Sequence, residues 1–274
     1  MSEEEKKGGT LSLPEPSEKK PGGSLARRDL LKYSAAGLAG LVTLGKIDDL
    51  LAESYPTIGG SYHPDEHWWG FVVDLRKCIG CGACVRACKE ENSVPDGFFR
   101  TWVERYTFLK DGRVLVDSPD GALEGFEPRA DVKPEEVTKS FFVPKLCNHC
   151  EQSPCVQVCP VGASYQSPDG LVLIDKTHCI GCGYCVQACP YGCRYLNPVT
   201  GTADKCTMCY HRISKGLKTA CVEACPHGAR HYGDLKDPNS EVRRLLNTSR
   251  YGVLKPDLGT HPKCFYIGLD EEVV

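Results

Sequence analysis

This 274-residue chain has few of the features that mark enzymes, nucleic-acid-binding proteins or membrane-spanning proteins. Aromatic residues make up only 8% of it and methionine occurs twice, so one large apolar core is not expected. The formal net charge of −3 comes without a long block of lysine and arginine, which excludes the usual nucleic-acid interface. No nucleophile–base motif, phosphate-binding loop or dinucleotide fingerprint is present. We therefore expect a protein that is not an enzyme by itself, and no membrane helix after residue 234.

Cysteine, in contrast, is abundant, because the chain contains eighteen of them. Sixteen fall into four quartets with similar internal spacing. The quartets are Cys78, Cys81, Cys84 and Cys88; Cys147, Cys150, Cys155 and Cys159; Cys179, Cys182, Cys185 and Cys189; and Cys206, Cys209, Cys221 and Cys225. The first and third have the spacing C-x2-C-x2-C-x3-C, which is typical of bacterial ferredoxins that hold cubane iron–sulfur clusters. Four quartets predict four [4Fe–4S] clusters, and the apoprotein should fold poorly because metal binding is coupled to folding.

Zinc and disulfide chemistry are the alternatives for thiols at such spacings. Zinc sites are usually built from two separated cysteine pairs, whereas three of these quartets are nearly contiguous. Disulfides suit an exported protein, but thiols this crowded cannot all pair with good geometry. The residues alone therefore favour iron–sulfur clusters and leave open a zinc- or disulfide-stabilised binding module. Cys193 and Cys264 lie outside the quartets and are interpreted as packing residues.

Residues close to the ligands predict how each cluster is surrounded. Glycines between ligands let the backbone approach the cluster and direct N–H groups at its sulfurs, and apolar neighbours should shield it from water. Nearby cations either offset the charge of the clusters or are solvated surface, and His149 either donates to a cluster sulfur or lies at the surface. The glycines are Gly80, Gly82, Gly181 and Gly183; the apolar residues are Ile79, Val85, Ile180 and Val186; the cations are Arg76, Lys77, Arg86, Lys89, Lys145 and Lys205. Three tryptophans, Trp68, Trp69 and Trp102, are interpreted as core or interface anchors.

Short strands alternate with the cluster loops in a repeated plan. Strands are predicted at 71–74, 101–104, 114–116, 163–166, 171–175, 194–197 and 230–233, with a hairpin turn at 110–112. Because Lys89 stands where the other quartets have proline, the helix there should continue through Glu91. The fold class is α+β, with two dicluster bacterial-ferredoxin-like modules, short strands and helices, and long inserted loops. We expect a cluster domain at 53–240 with an insertion at 89–146, including a polar loop at 118–139, and a tail at 241–274 that packs on the domain or on a partner.

The N-terminal segment at 1–52 is interpreted as a leader. Residues 1–25 have the composition of a disordered segment. Arg27 and Arg28 are then followed by leucines and by an apolar run at 33–45, which resembles a twin-arginine export signal. Leu50 stands where a small residue is preferred before a cleavage site after Ala52. An ordinary amphipathic helix is the alternative, and export predicts a periplasmic or extracytoplasmic location.

The quartets, the wide gap in the fourth and the leader together resemble the four-cluster electron-transfer subunits of dimethyl-sulfoxide-reductase and polysulfide-reductase type complexes. The resemblance covers about residues 70–235. It implies crossed ligation, in which the last cysteine of each quartet binds the cluster of another. The implied sets are Cys78, Cys81, Cys84 and Cys225 for cluster 1; Cys206, Cys209, Cys221 and Cys88 for cluster 2; Cys147, Cys150, Cys155 and Cys189 for cluster 3; and Cys179, Cys182, Cys185 and Cys159 for cluster 4.

The function that this resemblance implies is electron transfer. The partners would be a molybdopterin-containing catalytic subunit and a polytopic membrane subunit that interacts with quinone or quinol. The first alternative keeps the electron-transfer role but places the chain with a periplasmic hydrogenase or a multihaem nitrite reductase. The binding module described above is the alternative of another class.

Overall fold

A computed structural model describes residues 62–273 of the chain. The predicted leader and twin-arginine segment lie outside the described residues. Short helices and strands alternate with cysteine-bearing loops. The strands are β1 (Trp69–Asp74), β2 (Thr101–Leu109), β3 (Val114–Asp117), β4 (Val137–Leu146), β5 (Ser164–Gln166), β6 (Val172–Ile174), β7 (Tyr195–Leu196), β8 (Ala203–Asp204), β9 (Arg230–Asp234), β10 (Tyr251–Gly252) and β11 (Cys264–Ile267). The helices are α1 (Ala83–Asn92), α2 (Pro154–Gln157), α3 (Tyr184–Gln187), α4 (Tyr210–Ile213), α5 (Ala220–Glu223) and α6 (Glu241–Thr248).

Strand β1 lies inside the largest sheet of the described chain, whose order is β10-β11-β1-β9. Its residues Phe71, Val72 and Val73 are fully buried, because both faces of the strand are covered, as a continuous apolar run predicts. Strand β9 pairs with β1 in antiparallel fashion, and β11 pairs with it in parallel. The last strand of the chain therefore lies beside the first.

The C-terminal tail belongs to this sheet. Tyr266 and Ile267 of β11 are buried, and Val242 of α6 is fully buried in a cluster with Val72 and Ile267. The Ser240 side chain caps α6 by accepting the backbone N–H of Arg243. The sequence left open whether the tail packs on the domain or on a partner, and residues 241–273 pack on the domain.

The insertion contains a three-stranded sheet of order β3-β2-β4. The predicted hairpin of β2 and β3 is confirmed. The predicted loop at 118–139 is wrong at its end, because β4 begins at Val137 and pairs along β2 from Leu109↔Val137 to Thr101↔Leu146. Pro144 obscured this strand in the sequence, since proline removes a ladder donor, but β4 is an edge strand where that loss is tolerated.

The other predicted elements are confirmed with small shifts. The hairpin predicted at 163–175 is β5 paired with β6, and the strands predicted at 194–197 and 230–233 are β7 and β9. Helix α1 continues past Glu91 to Asn92. None of the helices within residues 62–273 has the length and apolar content needed to cross a membrane.

Candidate metal centres

The four thiols implied for cluster 1 line one cavity. Cys78, Cys81, Cys84 and Cys225 all face this space. Cys84 comes from α1, and Cys225 follows α5, which packs against α1. A cysteine from the fourth quartet thus joins three from the first.

The cavity for cluster 2 shows the reciprocal exchange. Cys88, Cys206, Cys209 and Cys221 line it together with Leu146 and Met208 among other residues. Cys88 lies one helical turn after Cys84 on α1, so the helix presents one thiol to each cavity. The packed helices α1 and α5 therefore hold the last cysteine of each quartet next to the other quartet.

The second and third quartets are grouped in the same way. Cys159, Cys179, Cys182 and Cys185 line one cavity. Burial raises the pKa of Cys150 to about 12, and the charges of Cys147, Cys155 and Cys189 around it contribute to that rise. The structure thus brings together the thiols of each implied set, and the crossed ligation stays a prediction.

Backbone N–H groups are directed at several of these sulfurs, as cluster binding requires. The hydrogen bonds are His149 N to Cys147 Sγ at 3.5 Å, Ser164 N to Cys159 Sγ at 3.4 Å, Ala203 N to Cys179 Sγ at 3.4 Å, Met208 N to Cys206 Sγ at 3.4 Å and Ala229 N to Cys225 Sγ at 3.3 Å. These donors stabilise thiolates, which are the form that binds iron.

The alternative of disulfide chemistry fits this geometry less well. All eighteen cysteines lie in the part of the chain that the structure describes, and all are free thiols. The thiols are instead grouped around shared sites, as cluster ligands are.

The four apolar residues expected to shield the clusters differ in exposure. Val85 is buried, and Val186 is half-buried in a small cluster with Cys155 and Cys185. Ile79 and Ile180 line the sites of clusters 1 and 4, respectively, although they stay 52% and 64% exposed. These two residues therefore contact their sites on one side and face solvent on the other.

The cations beside the ligands divide into two groups. Arg76, Lys77 and Arg86 are exposed, in accordance with solvated surface. Lys145 and Lys205 are buried. Lys145 forms an ion pair with Glu104 at 2.8 Å, and Lys205 Nζ donates to the carbonyls of Val172 and, at 2.7 Å, Cys206.

His149 and the two cysteines outside the quartets are all buried. His149 Nδ1 accepts the backbone N–H of Val172 at 3.1 Å, so the surface interpretation of this histidine is wrong. Burial lowers its pKa well below the ordinary value, and the ring is therefore neutral. Cys193 Sγ donates to the carbonyl of Leu146 at 3.1 Å, and Cys264 packs in β11, as expected for packing residues.

The tryptophans are anchored by their indole N–H groups. Trp69 Nε1 donates to Tyr62 Oη at 2.7 Å, and Trp102 Nε1 donates to Glu104 at 2.8 Å. Trp68 Nε1 donates to Glu151 at 3.3 Å. Trp69 and Trp102 pack against the main core, whereas the Trp68 bond is exposed.

Sequence reasoning missed three buried arginines next to the ligands. Arg100, Arg194 and Arg230 are each nearly inaccessible to solvent. A single arginine carries no spacing signal, but the segments C-P-Y-G-C-R at 189–194 and C-P-H-G-A-R at 225–230 repeat one another. That repeat was the signal that could have identified two of them.

Four thiol-lined sites on two repeated modules define an iron–sulfur protein of the four-cluster ferredoxin type. Comparison with protein-family models agrees, since two models described as 4Fe-4S dicluster domain match residues 77–163 and 138–235. The α+β fold of two dicluster modules and the content of four [4Fe–4S] clusters are thereby confirmed.

Similar curated proteins identify the family of iron–sulfur proteins more closely. A tetrathionate reductase subunit of Salmonella typhimurium is 43% identical over 210 residues, which are 76% of this chain and 75% of the relative. The corresponding tetrathionate reductase subunit of Archaeoglobus fulgidus is 48% identical, over 73% of this chain and 81% of the relative. A putative dimethyl sulfoxide reductase iron-sulfur subunit of Halobacterium salinarum is 40% identical, over 73% and 78% respectively. The chain belongs to this family of iron–sulfur electron-transfer subunits of molybdoenzyme reductase complexes.

Proposed function

We propose that this chain passes electrons between a molybdopterin-containing catalytic subunit and a polytopic quinone-interacting membrane subunit. The chain carries electrons and leaves substrate turnover to its catalytic partner. We further propose that the complex works on the extracytoplasmic face of the membrane, to which the twin-arginine segment directs it. The relatives at 43% and 48% identity make a tetrathionate reductase the first catalytic partner to test.

The observation that carries the proposal is the succession of thiol sets through the molecule. The pKa of Cys84 is raised by burial and also by the charge of Cys221, so sets 1 and 2 are neighbours. Burial raises the pKa of Cys206 to about 12, and charges near it, including that of Cys147 in set 3, add to the effect. Cys155 of set 3 and Cys185 of set 4 belong to one small core cluster. Electrons can therefore move from cluster 1 through 2 and 3 to 4 in short steps.

The cluster 4 end of this succession opens to the surface. The ligand Cys182 is exposed, and apolar side chains surround it. The exposed residues on these loops are Val158, Val161, Ile180, Tyr184, Leu196 and Val199, the last being 81% exposed. Several exposed apolar side chains on the loops of one site favour a protein–protein contact. It suits a redox partner that brings its own cofactor close to cluster 4.

Metal analysis of the native complex tests the proposal. The full chain, tagged at its C-terminus, is purified from membranes in mild detergent without oxygen. We expect molybdenum and a molybdopterin-containing subunit to co-purify with it. Nickel or haem in place of molybdenum would point to the hydrogenase or multihaem alternatives, which the relatives do not favour.

A surface variant tests whether electrons are exchanged with a partner at the apolar surface near cluster 4. Val199→Glu introduces charge into the apolar surface near cluster 4, and Leu258→Glu changes an equally apolar, exposed residue in the tail. We expect V199E to slow either cluster reduction by a quinol in membranes or cluster oxidation by the catalytic subunit, with unchanged iron content, and L258E to leave both rates unaffected. Equal rates in the two variants would contradict the assignment of this surface.

The export proposal has its own test. Changing both Arg27 and Arg28 to lysine keeps the charge but removes the paired arginines. We expect the variant to accumulate in the cytoplasm, as measured by cell fractionation, while the parent chain does not. Unchanged distribution would show that the segment is no export signal.

A further inference from the structure

Two buried arginines occupy equivalent places in the two modules. Arg194 is the fifth residue after Cys189, and Arg230 is the fifth residue after Cys225. Both follow the same C-P-x-G-x pattern and both enter a short strand, β7 or β9. Each module therefore contributes one arginine from the same position of the repeat.

Arg230 lies between the sites of clusters 1 and 2. Its side chain is 2% exposed, and Nη2 donates to Thr101 Oγ1 at 2.8 Å. Nη1 is buried with no hydrogen-bond partner among residues 62–273. Arg230 lines the cavity of cluster 1 together with Cys78 and Cys84, and its side chain also contacts Cys221 of set 2. The guanidinium thus faces thiols of both sets.

Arg194 has the same surroundings in the other module. It is 5% exposed, and Nη1 donates to Ser164 Oγ at 2.8 Å. Nη2 is buried without a partner in the described part of the chain. Its side chain contacts Cys185 of set 4 and lies near Cys155 and Cys147 of set 3, and the N–H of its partner Ser164 donates to Cys159 Sγ of set 4 at 3.4 Å.

Arg100, the third buried arginine, differs from the other two in its partners. Arg100 forms an ion pair with Asp204 at 2.8 Å and donates to Asn92 at 2.9 Å. Its charge is therefore compensated by a carboxylate of the protein. In the hydrogen bonds given above, the acceptor of Arg194 and of Arg230 is a neutral hydroxyl rather than a carboxylate. A buried charge without a compensating charge is strongly unfavourable. The anionic cluster with its thiolates is the compensating charge that the sites supply.

We propose that Arg230 is the shared counter-cation of clusters 1 and 2, that Arg194 is the shared counter-cation of clusters 3 and 4, and that each raises the reduction potentials of its pair. A cluster gains one negative charge when it accepts one electron, with no bond made or broken. A fixed buried cation stabilises that reduced state more than the oxidised state, so it favours reduction. The inference rests on the implied ligand sets and is independent of which subunits bind the chain.

Redox titration of single variants tests the assignment. The full-length protein with its clusters is purified without oxygen as Arg230→Gln and as Arg194→Gln, and paramagnetic resonance follows each cluster. R230Q should shift the midpoint potentials of clusters 1 and 2 downward and leave clusters 3 and 4 in place. R194Q should do the reverse, so each variant is the control for the other.

Two further variants separate charge from structure. Lys77→Gln removes one exposed positive charge next to Cys78, where water screens it, so it should shift the potential of cluster 1 much less than R230Q does. Arg230→Lys keeps the buried charge, so the potentials of clusters 1 and 2 should stay near those of the parent. If a glutamine variant loses iron, the lysine variant provides the test instead. An R230K protein with full iron content but strongly lowered potentials of clusters 1 and 2 would overturn the proposal.

Two results contradict it directly. The first is unchanged potentials in iron-replete R230Q and R194Q. The second is an equal shift of all four clusters in either variant, which would indicate a general structural effect. Because these measurements need no partner subunit, their failure is distinct from the absence of a molybdenum subunit in the purified complex.

Discussion

Cys88 and Cys225 tie together segments that are far apart in sequence. Cys88 lines the cavity formed by the fourth quartet, and Cys225 lines the cavity formed by the first. The packed helices α1 and α5 make this crossing possible. Each helix carries one cysteine that lines the site of its own quartet, and a second cysteine four residues later lines the site of the other quartet. A single thiol therefore controls a site whose other ligands come from a different part of the chain.

Cys225→Ser should perturb cluster 1, because its cavity has no other thiol from the fourth quartet. We expect an altered or lost paramagnetic signal from the cluster held by Cys78, Cys81 and Cys84. The cluster held by Cys206, Cys209 and Cys221 should keep its own signal. The crossed assignment is wrong if only this second cluster responds.

At the scale of elements, the insertion packs on the first cluster loop of its own chain. Ala122, in a short turn of helix at Pro119–Ala122, is fully buried. Arg86 on α1 donates to the carbonyl of Leu123 and, at 3.1 Å, to that of Cys81. The insertion thus holds the loop around cluster 1 from outside.

Gly82 and Gly183 precede α1 and α3 at the same position of two quartets, and they form a matched pair of variants. Both have positive φ, at +72° and +77°, so alanine at either position costs about 1–2 kcal/mol in backbone strain. A Cβ at Gly82 would also lie 2.2 Å from the carbonyl oxygen of Ala122, whereas one at Gly183 would meet only Leu196 Cδ1, at 3.8 Å.

Gly82→Ala should therefore lower the melting temperature and the iron content much more than Gly183→Ala. Thermal denaturation and iron determination on the anaerobically purified proteins measure the difference. Similar losses in the two variants would mean that the insertion does not restrain the loop.

At the scale of the whole molecule, the clusters take the place of much of an apolar core. The main buried cluster of side chains includes ligands from three quartets, among them Cys84, Cys147, Cys206 and Cys221. These thiols are packed among Phe71, Leu146 and other apolar residues of the sheets. Fold and cofactor are consequently interdependent.

Removing iron should unfold the described domain. Treatment with a chelator and a mild oxidant is expected to abolish the far-ultraviolet circular dichroism of short helices and strands and to expose residues 62–273 to protease. Parallel samples incubated without chelator serve as the control. An iron-free chain that stayed protease-resistant would contradict the dependence on clusters.

The tail should be as necessary for stability as the cluster loops. Tyr266→Ala removes a fully buried side chain from β11 and should cost about 3–5 kcal/mol. Leu258→Ala, at an exposed position of the same tail, should change stability by no more than about 0.5 kcal/mol. Thermal unfolding of the two holoproteins measures this, and equal stabilities would indicate that β11 is dispensable.

Sequence reasoning reached the sites through spacing, since sixteen cysteines repeat a pattern that few other chemistries use. It missed β4, where Pro144 hid an edge strand, and the place of β11, because pairing between the ends of a chain leaves no local pattern. It also missed Arg194 and Arg230, whose burial depends on packing around the ligands. The exposure of Ile79 and Ile180 likewise depends on the direction in which the loops face.

The parallel pairing of β1 with β11 affects when the domain can form. Residues 264–267 are synthesised almost two hundred residues after Phe71. The sheet therefore cannot close until β11 has left the ribosome, although domains often begin to fold from their N-termini before that stage. Completion of this sheet is thus a late step in the maturation of the described domain.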